Sequence, residues 1–358
     1  MASPQKISTT ATEILGIKHP VLLAGMNMVA SPRLAAAVTN AGGLGVIGGG
    51  SYTPEQLRDS IRELKTFLHD KNAPFGVDLL IPKVGGGARK TNYDYLKGQL
   101  DNLVGIMIEE KVKIFVCAVG TPPKHVVDRL HANGILYMNM CGHPKHAKRA
   151  AELGADLVCA QGGEGGGHTG DVPTVVLIPA VYEAIQGHIS PLTGKQVQLI
   201  AGGGIYNGRS LAAALMLGAS AVWVGTRFIL SEESGASPHL KEAVRTAGHG
   251  EIIRSTIFSG RPINSRATPY LRRWEEERRN EMLDLQSRGI VPVQHDLETK
   301  PDDDEVLEYS MPLLMGKVAA VVETTLPAKK IIDDMVDQAA MLVGNGSKLL
   351  VKPSVAKL

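Results

Sequence analysis

The residues with the most evident chemical capacity lie at 160–170, Ala-Gln-Gly-Gly-Glu-Gly-Gly-Gly-His-Thr-Gly, directly after the run Asp156, Leu157, Val158, Cys159. Gly162, Gly163, Gly165, Gly166, Gly167 and Gly170 each cost backbone entropy on folding. Such a cost is met where φ must be positive or where a ligand lies against bare peptide. His168 is the side chain in this stretch that can exchange protons near neutral pH. The alternative is an ordinary strand-to-helix connection with a surface histidine, and six glycines around one imidazole argue against it.

Four more glycine-rich loops follow short apolar runs: Gly25-Met26-Asn27-Met28, Gly48-Gly49-Gly50, Gly202-Gly203-Gly204 and Gly225-Thr226-Arg227. The last two suit an anion. Gly203 and Gly204 offer uncrowded amides, Gly225 and Thr226 offer two more, the Thr226 hydroxyl adds a donor and Arg227 a charge. Two tight turns without a ligand are the alternative, and the pairing of the loops favours phosphate. A P-loop or dinucleotide fingerprint is not the explanation. There is no G-x-x-x-x-G-K-[ST], and no G-x-G-x-x-G after the first strand with an acid about 20 residues later. One terminal phosphate, with bare backbone after the first strand, suits a flat phosphorylated cofactor across a barrel mouth, and flavin mononucleotide (FMN) fits. Gln161 would then bond the flavin ring or ribityl chain, with the Met26 and Asn27 backbone at the ring edge. Met26 and Met28 are equally readable as core methionines.

The elements that must position these loops alternate strand and helix. Strand candidates fall at 21–26, 44–48, 75–80, 114–119, 135–140, 156–160, 197–201 and 221–225, with helical segments after seven of them. Ser31-Pro32, Thr53-Pro54 and Thr121-Pro122 read as helix starts. Gly42, Gly134, Gly154 and Gly218 read as helix ends. Eight near-continuous apolar strands suit a closed barrel buried on both faces, so a (β/α)8 TIM barrel is expected over an open doubly wound sheet. Its active site belongs at the C-terminal ends of the strands, where the glycine loops lie.

The division expected is an FMN-binding barrel over 1–231, a helical substrate or lid domain over 232–310, and C-terminal helices over 311–358 that return to the barrel. The run containing Arg272, Arg273, Arg278 and Arg279 carries Glu275, Glu276 and Glu277 among its arginines, which reads as a solvated helix face. Tyr270, Trp274 and Tyr309 read as core aromatics, with the site entrance as the alternative.

With 38 basic against 36 acidic residues, a net charge of +2 makes no electrostatic case for a nucleic-acid partner. No apolar stretch reaches the roughly 20 residues of a membrane span. Cys117, Cys141 and Cys159 are odd in number and lie in apolar runs without C-x-x-C spacing, which suits reduced, buried thiols. A cytoplasmic protein is expected, with the terminal Ala356-Lys357-Leu358 as a degenerate peroxisomal tripeptide. No metal is expected. His143 and His146 beside Cys141 resemble a ligand set, but a helix start explains them more simply. A homo-oligomer is neither required nor forbidden.

Three stretches together carry a likeness to a known family: PVLLAGMNMVASPRLAAAVTNAGGLGVIGG at 20–49, CAQGGEGGGHTGDVP at 159–173 and AGGGIYNGRSLAAALMLGASAVWVGTRF at 201–228. PFGVDLLIP at 74–82 and MGKVAAVV at 315–322 add to it. The chain resembles the nitronate monooxygenases, formerly 2-nitropropane dioxygenases, and more closely their fungal and yeast branch. The likeness covers nearly the whole chain. It implies an FMN-bound TIM barrel with a smaller helical domain, oxidising alkyl nitronates or nitroalkanes such as propionate 3-nitronate with O2 to a carbonyl compound and nitrite. It implies His168 as the catalytic residue, acting as base or as nitronate stabiliser. It implies flavin contacts at Met26, Gln161, Gly203, Gly204, Gly225 and Thr226, and the residue reading adds Asn27, Gly166 and Gly167. Many bacterial members read Ala-Gly-Gly where this chain has Gly165-Gly166-Gly167, so this loop is at least as permissive. The scaffold also carries flavin-dependent reductases of quinones and enoyl thioesters, so an FMN-dependent NAD(P)H reductase is the competing enzyme. A flavin-binding protein without catalysis is the non-enzymatic alternative, and the retained His168 argues against it.

Overall fold

A computed structural model describes residues 1–350 of the chain; the tripeptide 356–358 and the last eight residues of the expected C-terminal segment lie outside them. Nine strands come first in chain order: β1 (Val21–Leu23), β2 (Gly45–Gly50), β3 (Phe75–Leu80), β4 (Ile114–Ala118), β5 (Leu136–Cys141), β6 (Leu157–Gln161), the two-residue β7 (Gly167–His168), β8 (Gln198–Gly202) and β9 (Ala221–Val224). Two more, β10 (Ile252–Ser255) and β11 (Ile263–Arg266), follow. Eight of these form one parallel sheet in the order β1-β9-β8-β6-β5-β4-β3-β2. The sheet closes on itself where Leu22 bridges Leu44 in parallel and Leu23 N–H donates to Leu44 O at 2.9 Å. The result is a (β/α)8 barrel, as the eight apolar runs predict.

Alternation along each strand separates two cores. Leu22, Val46, Val116, Met138, Leu157, Cys159 and Ile200 point inward, and Ala11 and Leu15 of the helix Thr10–Leu15 join this cluster. Val21, Leu23, Ile47, Val77, Val158 and Leu199 point outward against the helix ring. Burying both faces is what makes the strands read as unbroken apolar runs. Ser31 and Thr53 cap their helices as predicted, each with proline in the first turn. Thr121-Pro122 does not start a helix; the helix is Lys124–Ala132 with Pro123 at the cap. Pro123 disfavours helical backbone at Pro122, which delays the start.

After β9 the expected helical stretch contains a hairpin. β10 pairs antiparallel with β11, and β11 pairs antiparallel with β7, so this small sheet covers the His168 loop. Around it Tyr270, Trp274, Met282, Leu285 and Val306 form a separate buried cluster that the half-buried Tyr309 packs against, so these aromatics are core and not entrance. Of the charged run, Arg273 pairs with Glu305 and Arg279 with Glu275 on the surface. Arg278 departs from that reading. It stacks over Trp274 at 3.5 Å and donates to the buried Asp296 at 2.6 and 2.9 Å. The helix Ala328–Gly346 then returns to the barrel, burying Ile331, Ile332, Met335 and Val336. Among the described residues no helix is long and apolar enough to cross a membrane.

Candidate functional site

β7 places His168. Its register sets His168 opposite Ile263 and Gly167 opposite Asn264. Asn264, 1% exposed, donates both amide hydrogens into the glycine loop, to Gly163 O at 2.8 Å and Gly165 O at 2.7 Å. Gln161 braces the same loop from below, donating to His168 O at 2.9 Å and Gly166 O at 3.3 Å. Its amide nitrogen is thereby spent on backbone, and its Oε1 is the end left for a ligand. A Cβ on Gly166 would lie 2.7 Å from the Met315 carbonyl carbon, so this glycine permits close approach of the returning chain. Gly167 has φ +67° with nothing within 4 Å of a Cβ, so its lack of a side chain is a conformational requirement.

His168 Nε2 lies 3.1 Å from Ser259 Oγ. Ser259 Oγ is also 3.4 Å from Arg261 O and accepts from Arg261 N–H at 3.3 Å. When the serine hydrogen points to Arg261 O, Nε2 carries the ring hydrogen and donates, leaving the Nδ1 lone pair as a base. When the serine donates to Nε2, Nδ1 carries the hydrogen instead. Burial, and then the nearby Arg261 charge, push the imidazole down to about 4. A group with that value is a neutral imidazole at physiological pH, able to accept a proton.

The candidate anion loops abut the His168 loop. A Cβ on Gly203 would lie 2.8 Å from Gly162 O, and Thr174 Oγ1 donates to Gly203 O at 3.0 Å. Gly203 is thus more crowded than its sequence suggests, whereas a Cβ on Gly204 would meet nothing closer than 3.7 Å. Among the described residues neither glycine's N–H has a backbone acceptor. Thr226 begins the short helix Thr226–Ile229, so its N–H has no intrahelical partner. The Thr226 hydroxyl accepts from Gly316 N–H at 2.9 Å and keeps its own hydrogen to donate. Arg227 is directed away, donating to Thr324 O at 2.7 Å.

The loop after β1 brings Met26 Sδ within 3.5 Å of a Cβ on Gly225, joining the first and last barrel loops. Met26 packs half-buried against three apolar clusters, which favours its core role. Asn27 is exposed, and its side chain covers Gly50. Met28 is 77% exposed with φ 62°, an uncommon backbone state for methionine, and it turns the chain out of β1.

One polar residue was overlooked in the sequence. Asp78 sits on the inward row of β3, 2% exposed, and its Oδ1 has no hydrogen-bond partner among the described residues. Burial raises its carboxyl to about 8, so it is a neutral acid at physiological pH. Its side chain lies against Gly25, and a Cβ on Gly48 would strike the Asp78 backbone. The glycines after β1 and β2 therefore make room for Asp78. The signal was available: a lone acid in the apolar run Phe75–Leu80. Ser259, Asn264 and Arg261 carry no such local signal.

His143 caps the helix Pro144–Leu153, Nδ1 accepting from Lys145 N–H at 3.1 Å. Cys117, Cys141 and Cys159 are free and buried. A cavity of about 330 Å³ is lined by Lys90, Asn92, Tyr93 and Gln294, among others, and one of about 210 Å³ by Tyr206, Asn207, Arg227 and Glu323, among others.

A family model described as nitronate monooxygenase matches residues 8–338. The chain is 37% identical over 256 residues to the Rhodococcus jostii (3aS,4S,5R,7aS)-5-hydroxy-7a-methyl-1-oxo-octahydro-1H-indene-4-carboxyl-CoA dehydrogenase, a match covering 72% of this chain and 65% of that relative's length. Among solved structures, FabK from Thermotoga maritima is similar at 31% identity and TM-score 0.75, covering 96% of this chain and 100% of that one. Nitroalkane oxidase from Streptomyces ansochromogenes is similar at 25% identity and TM-score 0.77, covering 95% and 99%.

Proposed function

Because the chain belongs to the nitronate monooxygenase family of flavin oxidoreductases, we propose that it oxidises alkyl nitronates, and nitroalkanes after deprotonation, with O2 to a carbonyl compound and nitrite. The stretches at 20–49, 159–173 and 201–228 are the ground for placing it nearer the fungal and yeast branch. The cofactor of this reading is FMN, held without a covalent link. It supplies the transfer of electrons from the nitronate to O2.

The residues present fit that group. The N–H groups of Gly203, Gly204 and Thr226 and the Thr226 hydroxyl are donors without competing backbone partners, suited to one terminal phosphate. No dinucleotide fingerprint provides for an adenylate half. The unpartnered Asp78 Oδ1 beneath the loops, the Gln161 Oε1 and the open backbone of Gly167 are what this end of the barrel offers a ring, whereas the free side of Gly166 is filled by Met315 and Gly316. Met26 and Asn27 complete the rim. In domain terms, 1–231 holds the cofactor, 232–310 covers the substrate, and the segment from 311 closes back on the barrel.

The observation that carries the catalytic reading is the neutral, half-buried imidazole of His168 at the C-terminal mouth of the barrel. A neutral imidazole takes the α-proton of a nitroalkane, while the alternative role, an imidazolium holding the nitronate oxygens, needs a protonated form that is scarce above about pH 4. A second reading, an FMN-dependent oxidoreductase of thioesters or quinones using NAD(P)H, is favoured by the likeness to the carboxyl-CoA dehydrogenase and to FabK. Anaerobic mixing separates them. Flavin bleached by a nitronate and not by NAD(P)H supports nitronate oxidation; rapid bleaching by NAD(P)H supports the reductase.

A further inference from the structure

The proposed reaction leaves Arg227 without a task. Its side chain is buried, 6% exposed, directly after Thr226, yet it turns away from the barrel mouth. Nη2 donates to Thr324 O at 2.7 Å, and Nε and Nη1 have no protein acceptor among the described residues. Asp334 favours the charge from beyond ion-pair distance and is itself bound to Lys330 at 2.6 Å. A charge taken out of water with so few partners costs free energy unless something else completes its hydrogen bonds.

Arg227 lines the cavity of about 210 Å³, which at about 30 Å³ per water is room for about seven waters or a solute of similar heavy-atom count. Its half-buried wall is rich in donors. Asn207 Oδ1 accepts from Ser210 N–H and Gln338 Oε1 from Arg209 N–H, so the amide nitrogen of each is left over. The helix Gly208–Met216 begins in the same wall, and its positive end adds to the Arg227 charge. A Cβ on Gly208 would lie 2.5 Å from the Gln338 Cβ, so the glycine is what lets Gln338 stand there. The rim has the opposite character. Glu323 and Asp334 are exposed carboxylates, and Glu323 has no ion partner among the described residues. Val322, Ile331 and Met335 give the cavity buried apolar surface.

We propose that this cavity is a second ligand site, for a small zwitterion of the α-amino-acid class. Its carboxylate would lie on the planar fork of Arg227, its ammonium towards Glu323 and Asp334, and a short apolar side chain against Ile331 and Met335. An inorganic dianion suits the site less, because the rim carboxylates repel a second negative charge, and a simple amine is repelled by Arg227. The site is separate from His168 and independent of which substrate is oxidised there. Its walls continue the two candidate anion loops, since Asn207 stands three residues after Gly204 and Arg227 follows Thr226. An occupant therefore bears on the cofactor loops from behind.

The test is titration calorimetry on the purified full chain, which needs no turnover. The probes are L-valine, isovalerate, which lacks the ammonium, and isobutylamine, which lacks the carboxylate. Valine should bind saturably, isovalerate about three- to tenfold more weakly, and isobutylamine at least about tenfold more weakly. Arg227→Gln should weaken valine at least about tenfold, the loss of one charge-assisted contact. The double variant Glu323→Gln with Asp334→Asn should weaken valine about three- to tenfold and leave isovalerate unchanged or tighter. It alters exposed side chains only, so it decides the matter if the melting temperature shows that Arg227→Gln does not fold. No saturable heat from valine up to about 10 mM overturns the site, as does affinity unchanged within about twofold in both variants. Isovalerate binding as tightly as valine, or a loss confined to Arg227→Gln, assigns a plain anion and overturns the amino-acid class.

Discussion

Replacing Asp78 by asparagine removes a proton-binding site from the barrel interior with almost no change in shape. The carboxyl titrates near 3.8 in an unfolded chain and at about 8 in the fold, so between these values the native state binds the extra proton. Stability from this group is therefore fully present below about pH 3.8 and is lost as pH rises towards 8, at up to about 1.36 kcal/mol per pH unit. Between pH 5 and pH 8 the loss amounts to at most about 4 kcal/mol, and the amide of the variant has no proton to release. Urea denaturation of flavin-free wild type and Asp78→Asn at both pH values gives a double difference in which every other titrating group cancels. The variant should gain on the wild type by up to about 4 kcal/mol across the interval. A double difference flat within about 0.5 kcal/mol would mean that Asp78 ionises in the fold as freely as in the unfolded chain, and that burial does not set its proton affinity.

Other consequences follow from the same site. Because His168 is pushed down to about 4, kcat/KM for a neutral nitroalkane should be level above about pH 6 and fall below about pH 4; a fall centred near 6.5 in a stopped-flow pH profile would contradict the burial of the imidazole. The same depression makes His168 bind fewer protons in the fold, so its share of stability is lost as pH drops from 6.5 to 4. Gly204→Val forces a β-branched residue to φ +74° beside a free amide, so flavin should be lost on gel filtration while the far-UV spectrum persists; retained stoichiometric flavin would exclude the loop as the phosphate site. Heat-released flavin should run as FMN on chromatography, and FAD would refute the assignment. Asn264→Leu strands two loop carbonyls at roughly 1–3 kcal/mol each, so the melting temperature should fall and turnover with it; unchanged values would show that the loop holds itself.

How much of this was legible in the sequence depended on whether the signal was local. The eight barrel strands stood out because burial on both faces leaves apolar runs, and their observed bounds differ from the expected ones by at most three residues. The first strand is the largest miss, since the chain leaves the sheet at Leu23 and curls through Met28 at positive φ. The hairpin was missed because its strands, Ile252–Ser255 and Ile263–Arg266, are four residues each and carry charge in a helix-rich context. His168 was visible because glycine density marks a loop held against something. Ser259, Arg261 and Asn264, about 90 to 100 residues further on, reach it only through the pairing of β7 with β11, which no pattern in the chain predicts. Gln161 ends β6 beneath the glycine loop, and its amide nitrogen serves the backbone there, a use that its position in the sequence does not announce.

The most direct test of the central claim is O2 uptake by wild type and His168→Asn with neutral nitroethane and with preformed ethylnitronate, FMN content being matched. General-base catalysis of the proton step is worth on the order of 10²–10⁴-fold, and ethylnitronate has already lost that proton. If His168 is the base, turnover of nitroethane collapses by about that factor relative to turnover of ethylnitronate. Equal losses on both substrates, or a raised KM confined to the nitronate, would contradict the base role; unchanged kinetics on both would remove His168 from the chemistry.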